Sequence, residues 1–167
     1  KEGNTLAWGA VYEQYFQEID KVKGQKGVLS VEKKLFVETN NGTNRQIRPV
    51  TPEQPLRIGD KVIVRLTIRT DREMNYVFLK DLRAGCFEPA DQLSGPESRD
   101  GIWYYRSPKD VSENFFINRL PEGAFVLEYP VYVSRSGEYA GGISTIQCMY
   151  APEFVSHTAG ESLRIMP

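Results

Sequence analysis

Residues 61–69, Lys-Val-Ile-Val-Arg-Leu-Thr-Ile-Arg, alternate apolar and polar side chains with a period of two. That period belongs to a half-buried β-strand; the apolar positions of a helix recur every three or four residues. Val62, Val64, Leu66 and Ile68 fall on one face, and Lys61, Arg65, Thr67 and Arg69 on the other, with Ile63 as the exception. Burying four such side chains is worth about 1.5–3 kcal/mol each, so the strand needs an opposing layer. The rest of the chain supplies one in the same form. Phe125, Leu127, Tyr129, Val131 and Val133 alternate in the same way. Residues 31–37, 75–82, 103–105, 111–118, 143–150 and 161–165 read as further strands. Turn signals lie between them at Asn40–Thr43, Pro55–Asp60, Leu120–Gly123 and Arg135–Glu138. Asn41-Gly42 is a hairpin signal. Asn41-Gly-Thr43 also matches a glycosylation sequon, and the turn reading is preferred. Seven to nine short strands with no strand–helix–strand alternation predict an all-β fold, an antiparallel β-sandwich. Val62, Val64, Leu66, Ile68, Phe125, Leu127 and Val131 are its expected inner residues.

Composition narrows the function. Lys+Arg total 21 against Asp+Glu 22 in 167 residues, a net charge of −1. That balance gives no basic footprint for nucleic acid. No apolar run approaches the roughly 18–20 residues of a membrane-spanning helix, and no direct membrane contact is expected. One histidine, His157, and two cysteines, Cys86 and Cys148, without a CxxC pair make a metal site unexpected. No cofactor is implied. A Ser-His-Asp or Cys-His site would have to use His157. That residue lies in the loop-like stretch Pro152–Gly160 and reads as a solvated loop histidine. Both cysteines read as buried, reduced strand or strand-end residues. The stretch from Phe87 to Asp100 is polar and rich in Gly, Pro and Ser, which suggests a long loop.

The N-terminal part follows a different pattern. In Leu6–Asp20, Trp8, Val11, Tyr12, Tyr15 and Ile19 fall at helical spacing, yet Trp, Val, Tyr and Phe favour strands and Gly9 weakens a helix. Lys21–Gly27 has two glycines and no apolar period, and reads as a linker. A domain boundary near residue 28 follows, leaving 1–28 and 29–167 as separate units.

Two stretches carry a family resemblance. Asn114–Tyr129 (Asn-Phe-Phe-Ile-Asn-Arg-Leu-Pro-Glu-Gly-Ala-Phe-Val-Leu-Glu-Tyr) is one. Ile146–Phe154 (Ile-Gln-Cys-Met-Tyr-Ala-Pro-Glu-Phe), followed by Ser156–Gly160, is the other. Both resemble pieces of the last macroglobulin-like domain of bacterial alpha-2-macroglobulins. Gly59-Asp60 before the Val62–Ile68 strand, and Lys80–Ala84 before Phe87-Glu-Pro89, fit the same domain, over roughly residues 29–166. The resemblance implies an immunoglobulin- or fibronectin III-like sandwich. It also implies that residues 1–28 close a preceding CUB-type β-domain and lead out of it, so Leu6–Phe16 is expected as a strand. The family's thioester motif, Gly-Cys-x-Glu-Gln, is absent from these residues.

The function this implies is that of a non-catalytic C-terminal domain in a large, exported inhibitor of proteases, periplasmic or anchored to the cell envelope. Its partners would be the thioester-type and CUB-type domains of its own chain, with target proteases met through the whole protein. In such relatives a tyrosine on this domain helps to keep water from the thioester, and Tyr150, beside Met149, is the matching position. The competing reading makes Tyr150 a strand-end tyrosine of the core. A second class of function is a carbohydrate-binding or adhesive sandwich using Trp103, Tyr104 and Tyr105. Alternation places Trp103 and Tyr105 on one face, where burial is the simpler expectation. A third is a glycosidase using two carboxylates such as Glu88 and Glu153.

Overall fold

The computed structural model describes residue 11, residues 14–41 and residues 44–167. The described residues are nearly all β in their regular structure, with 62% of them in β conformation. Among the described residues the one helical element is a 3-10 turn at Ile19–Lys21.

Two large sheets enclose the core. The five-stranded sheet runs β2 (Asn44–Pro49), β1 (Leu29–Asn41), β4 (Lys61–Thr70), β10 (Gly123–Val133), β6 (Phe87–Pro89). The six-stranded sheet runs β13 (Val155–His157), β12 (Ser144–Cys148), β5 (Met74–Leu82), β9 (Ser112–Leu120), β8 (Ile102–Pro108), β7 (Gly95–Arg99). A small third sheet joins β11 (Gly137–Ala140), β14 (Ser162–Met166) and β3 (Leu56–Arg57). Every strand pair is antiparallel except β14 with β3, which is parallel.

The alternating strands behave as expected. Val62, Val64, Leu66, Ile68, Phe125, Leu127 and Val131 are all buried in one cluster. Val62 faces Val37 and Val131 across the ladder, and Leu66 faces Leu127, so apolar rows run from strand to strand. Ile63 points to the other face and is also buried, set in register between Phe36 and Pro130. β1 and β2 pair as far as Asn41 opposite Asn44. The turn between them, Gly42-Thr43, lies outside the described residues.

Three expectations need correction. The polar stretch from Phe87 to Asp100 is not a continuous loop, because β6 and β7 lie within it. Both are edge strands, and β7 alternates only between half-buried and exposed residues, so it has no apolar period to read. The strand expected to run to Tyr150 ends at Cys148. His157 is not in a solvated loop. It lies half-buried in β13, opposite Thr145, and forms a backbone bridge with Gln25.

Most of the expected N-terminal strand at Leu6–Phe16 lies outside the described residues. Residues 11 and 14–16, which are described, belong to no strand or helix. The following segment is held against the sandwich. Gln25 and His157 exchange two backbone hydrogen bonds of 2.9 and 3.0 Å, and the Gly160 N–H donates to Val22 O at 2.8 Å. The approach requires a glycine at 160, since a Cβ there would lie 1.8 Å from Ile19 O.

Candidate functional site

Tyr150 and Met149 stand in the short connection that leaves β12. The connection folds back on itself: Ala151 N–H donates to Cys148 O at 3.3 Å, and Phe154 N–H to Ala151 O at 2.9 Å. It is fastened to β5 where Met149 N–H donates to Tyr76 O at 2.9 Å. The Cys148 thiol donates to Asn75 O at 3.2 Å. Tyr76 itself has a left-handed backbone, φ 56°, a conformation costing a bulky residue on the order of 1–3 kcal/mol. Its ring meets Tyr150 edge-on, with centroids 5.1 Å apart and planes at 85°. Tyr150 is 80% exposed, Met149 55% and Tyr76 52%. The three side chains form an apolar projection at one end of the six-stranded sheet. Tyr76 was not singled out in the sequence, although alternation through Asn75–Leu82 puts it on the same face as Phe78.

The Trp103 expectation is reversed. Trp103 is 70% exposed and Tyr105 47%, while Ile102, Tyr104 and Arg106 point inward and are buried. Burial goes to Arg106 because it meets an acid inside. Its Nε donates to Glu113 Oε1 at 2.7 Å, and Arg83 Nη2 donates to Glu113 Oε2 at 3.1 Å. Arg83 also caps the Lys109 and Asp110 carbonyls at 2.8 and 2.9 Å. Burial pushes the Glu113 carboxyl above its ordinary range, against the pull of both guanidiniums. Tyr104 donates to Glu97 at 3.0 Å, and burial together with that carboxylate raises its phenol to about 12.

A second ionic group joins the two sheets. The Lys33 ammonium on β1 donates to Asp81 Oδ1 at 2.8 Å, Leu82 O at 3.0 Å and Gly141 O at 3.2 Å, which uses all three of its protons. Asp81 also accepts from Ser144 Oγ at 2.8 Å and from the Tyr129 hydroxyl. Burial, then the Asp81 charge, raises the Tyr129 phenol well above its usual value. Every acid here is held by a structural donor, so the group holds the sandwich together. Lys33 also lines a groove of about 930 Å³ between β1 and β14, and its ammonium has no proton left for a ligand there.

The other candidates are dispersed. Glu88 lies on β6 of the five-stranded sheet, and Glu153 lies in the β12–β13 connection beside the other sheet. Cys86 and Cys148 are free and buried, and burial raises the Cys86 thiol to about 11, which suppresses the reactive thiolate. Among the described residues no group of three His, Cys, Asp or Glu side chains could hold a metal ion.

The family is decided by residues 29–153, which match the model of the bacterial alpha-2-macroglobulin MG10 domain. The chain belongs to that family. Solved structures agree on the fold. Salmonella alpha-2-macroglobulin reacted with methylamine superposes on 87% of this chain and 10% of its own, at 21% identity and a TM-score of 0.67. Native Escherichia coli alpha-2-macroglobulin from domain MG7 to the C-terminus covers 86% of this chain and 24% of its own, at 16% identity and a TM-score of 0.66. The Escherichia coli protein activated by porcine elastase matches over 87% of this chain and 14% of its own, at 18% identity and a TM-score of 0.67. Over 109 residues the chain is 28% identical to circularly permutated Ras protein 2 of Dictyostelium discoideum, 65% of this chain and 3% of that protein. The MG10 domain thus spans a tenth to a quarter of these macroglobulin chains.

Proposed function

We propose that this MG10 domain works as a non-catalytic, C-terminal part of a large, exported protease inhibitor of the alpha-2-macroglobulin kind. In that reading it packs against a thioester-type domain of its own chain and moves with it when a protease cuts the molecule. Residues 1–28 then close and leave the preceding CUB-type domain, with the boundary at 28/29. The observation that carries the reading is the exposure of Tyr150 and Met149 on a rigidly pinned connection. A large aromatic ring held out from a sheet border gains free energy only when a neighbour covers it. Laid over a thioester, such a ring excludes the water that would hydrolyse the bond.

The test is Tyr150→Ala in the longer protein that carries this domain. The domain should stay folded, with a melting temperature within a few degrees of the parent. The reactivity of the intact protein toward methylamine should decay several-fold faster. An unchanged lifetime would sink the shielding role.

A further inference from the structure

β1 has a strand on both sides over only part of its length. β4 pairs with Leu29–Glu38, whereas β2 pairs with β1 only from Phe36 onward. Among the described residues, 29–35 therefore present one open edge. A single hydrogen bond sets its phase. Leu35 O accepts from Val50 N–H at 3.0 Å on the β2 side. Residues two apart in a strand turn their backbone groups the same way. The N–H and C=O of Lys33 and Val31 thus also point off the open edge, toward no paired strand among the described residues.

A trough runs beside this edge. Cavities of about 450 and 930 Å³ share Lys33, Lys34, Leu35, Glu161 and Leu163 in their walls, so they form one channel between β1 and β14. Leu35 marks the channel from the inner face: Val31 and Val37 on either side of it are buried, and Leu35 is half-buried. On the outer face, Glu128, Arg65 and Lys34 stand in one cross-strand row. Glu128 holds Arg65, while Lys34 makes no ion pair among the described residues. The row ends at the open edge on a cation that faces another cation.

We infer that this edge binds an extended, acid-bearing segment of a separate protein, which adds to β1 as a further strand. Free N–H and C=O groups recurring every second residue, about 7 Å apart, are matched in both donor and acceptor by another extended peptide backbone. A carboxylate beside Lys34 continues the row with the opposite charge, a favourable cross-strand pair. A neighbouring apolar side chain covers Leu35. The trough suits a lone strand better than the edge of a folded sheet, because Pro49–Pro52 and Pro55 flank one end and Gly24 and Lys26 the other. Inward-pointing charge commonly guards such an edge, but that of Lys33 is committed to Asp81. All of these walls belong to this chain, so the site needs no other domain to be complete.

The probe is the hexapeptide acetyl-Thr-Val-Asp-Val-Thr-Val-amide, titrated into the 15N-labelled 167-residue chain and followed by NMR. At saturation, amide exchange at Val31, Lys33 and Leu35 should slow at least ten-fold. The analogue with Lys in place of Asp should bind at least five-fold more weakly, and Lys34→Glu should reverse that order. Lys34 is exposed and unpaired, so this variant should melt with the parent. Of two analogues N-methylated on the odd or the even residues, at least one should lose binding. Unchanged exchange at the three amides, full binding by both methylated analogues, or an unchanged charge preference in Lys34→Glu overturns the inference. So does binding to the 167-residue chain but not to the longer uncleaved protein, which would mean that its own chain covers the edge. A concentration-dependent dimer that protects the same amides without peptide would make a second copy the occupant and overturn it as well.

Discussion

The domain contains the same ionic arrangement twice, a glutamate gripped by two arginines, in opposite surroundings. Glu128 on β10 accepts from Arg65 Nε at 2.6 Å and Arg99 Nη2 at 2.8 Å on the outer face of the five-stranded sheet. Glu113 on β9 accepts from Arg106 and Arg83 inside the sandwich. The outcomes differ in sign. The two guanidiniums lower the Glu128 carboxyl despite partial burial, whereas deeper burial raises that of Glu113. The contrast extends to the sheets. The five-stranded sheet turns most of its aliphatic residues inward and, Lys33 apart, pairs its charges outside, with Glu38 also held by Lys61 and Arg45. Around β5, β8 and β9 the six-stranded sheet does the reverse in part. Asp81, Arg106 and Glu113 go in, while Phe78, Trp103, Tyr105 and Phe116 go out.

The largest test of the comparison is Glu113→Ala. It leaves two buried guanidiniums without the two oxygens that accept from them, a loss of about 3–5 kcal/mol. Two of their nitrogens, Arg83 Nε and Arg106 Nη2, already lack a hydrogen-bond partner. Urea unfolding of the 167-residue chain measures it as a fall in midpoint. Glu128→Ala should cost only about 1 kcal/mol, because Arg65 and Arg99 can turn to water. Added salt should shrink that difference further. Equal losses from the two substitutions would show that the two arrangements are equivalent.

The pH dependence separates them by sign. Glu128 has a folded pKa below its ordinary 4.5. Its contribution is present above that value and is lost as pH falls through the folded pKa. The stability advantage of the parent over Glu128→Gln should therefore narrow on acidification below about 4.5. Glu113 has a folded pKa above 4.5. Its contribution is full below that value and is lost as pH rises through the folded pKa. Any advantage over Glu113→Gln should narrow in the alkaline direction. Paired thermal melts across pH 3.5–7, a range set around the roughly 4.3 pKa of a free glutamate, check both slopes, and slopes of the same sign would break the contrast.

The two sheets also differ in how legible they are in sequence. β4 and β10 could be read residue by residue, because all five inward positions of β10 and four of those on β4 are apolar and nothing else competes for them. β8 could not. In Ile102-Trp-Tyr-Tyr-Arg106 both faces carry aromatic rings, so the period is visible but its phase is not. An arginine on the inward face argues for the wrong phase until its partner is known. That partner, Glu113, belongs to a strand whose own inward set reads Glu113, Phe115, Ile117. Buried charge pairs are decided by tertiary contact, and single-strand alternation carries no record of it. Tyr150 is a different case. The Ala151-Pro152 break and the family motif marked it as a border residue, but Tyr76, which receives it, depends on the pairing of β5 with the end of β12.

The smallest expected effect concerns Arg99, the more exposed arm of the outer arrangement. Arg99 ends the edge strand β7 and reaches across to Glu128 on the other sheet. The adjacent Asp100 supports the same crossing by accepting from Val126 N–H at 3.3 Å. Asp100 has a left-handed backbone, φ 51°, and Gly101 follows at φ 82°, so the β7–β8 turn is tightly bent where it leans on β10. The Arg99 side chain is 43% exposed and Glu128 keeps Arg65, so Arg99→Ala should change global stability by no more than about 0.5 kcal/mol. The effect should be local. β7 pairs with β8 alone, and without its tie to Glu128 it should open more often than the rest of the sheet. Hydrogen exchange should quicken across residues 95–102 while β4 and β10 keep their protection. Faster exchange throughout β10 as well would mean that the outer arrangement holds the two sheets together as the inner one does, and the distinction between them would fail.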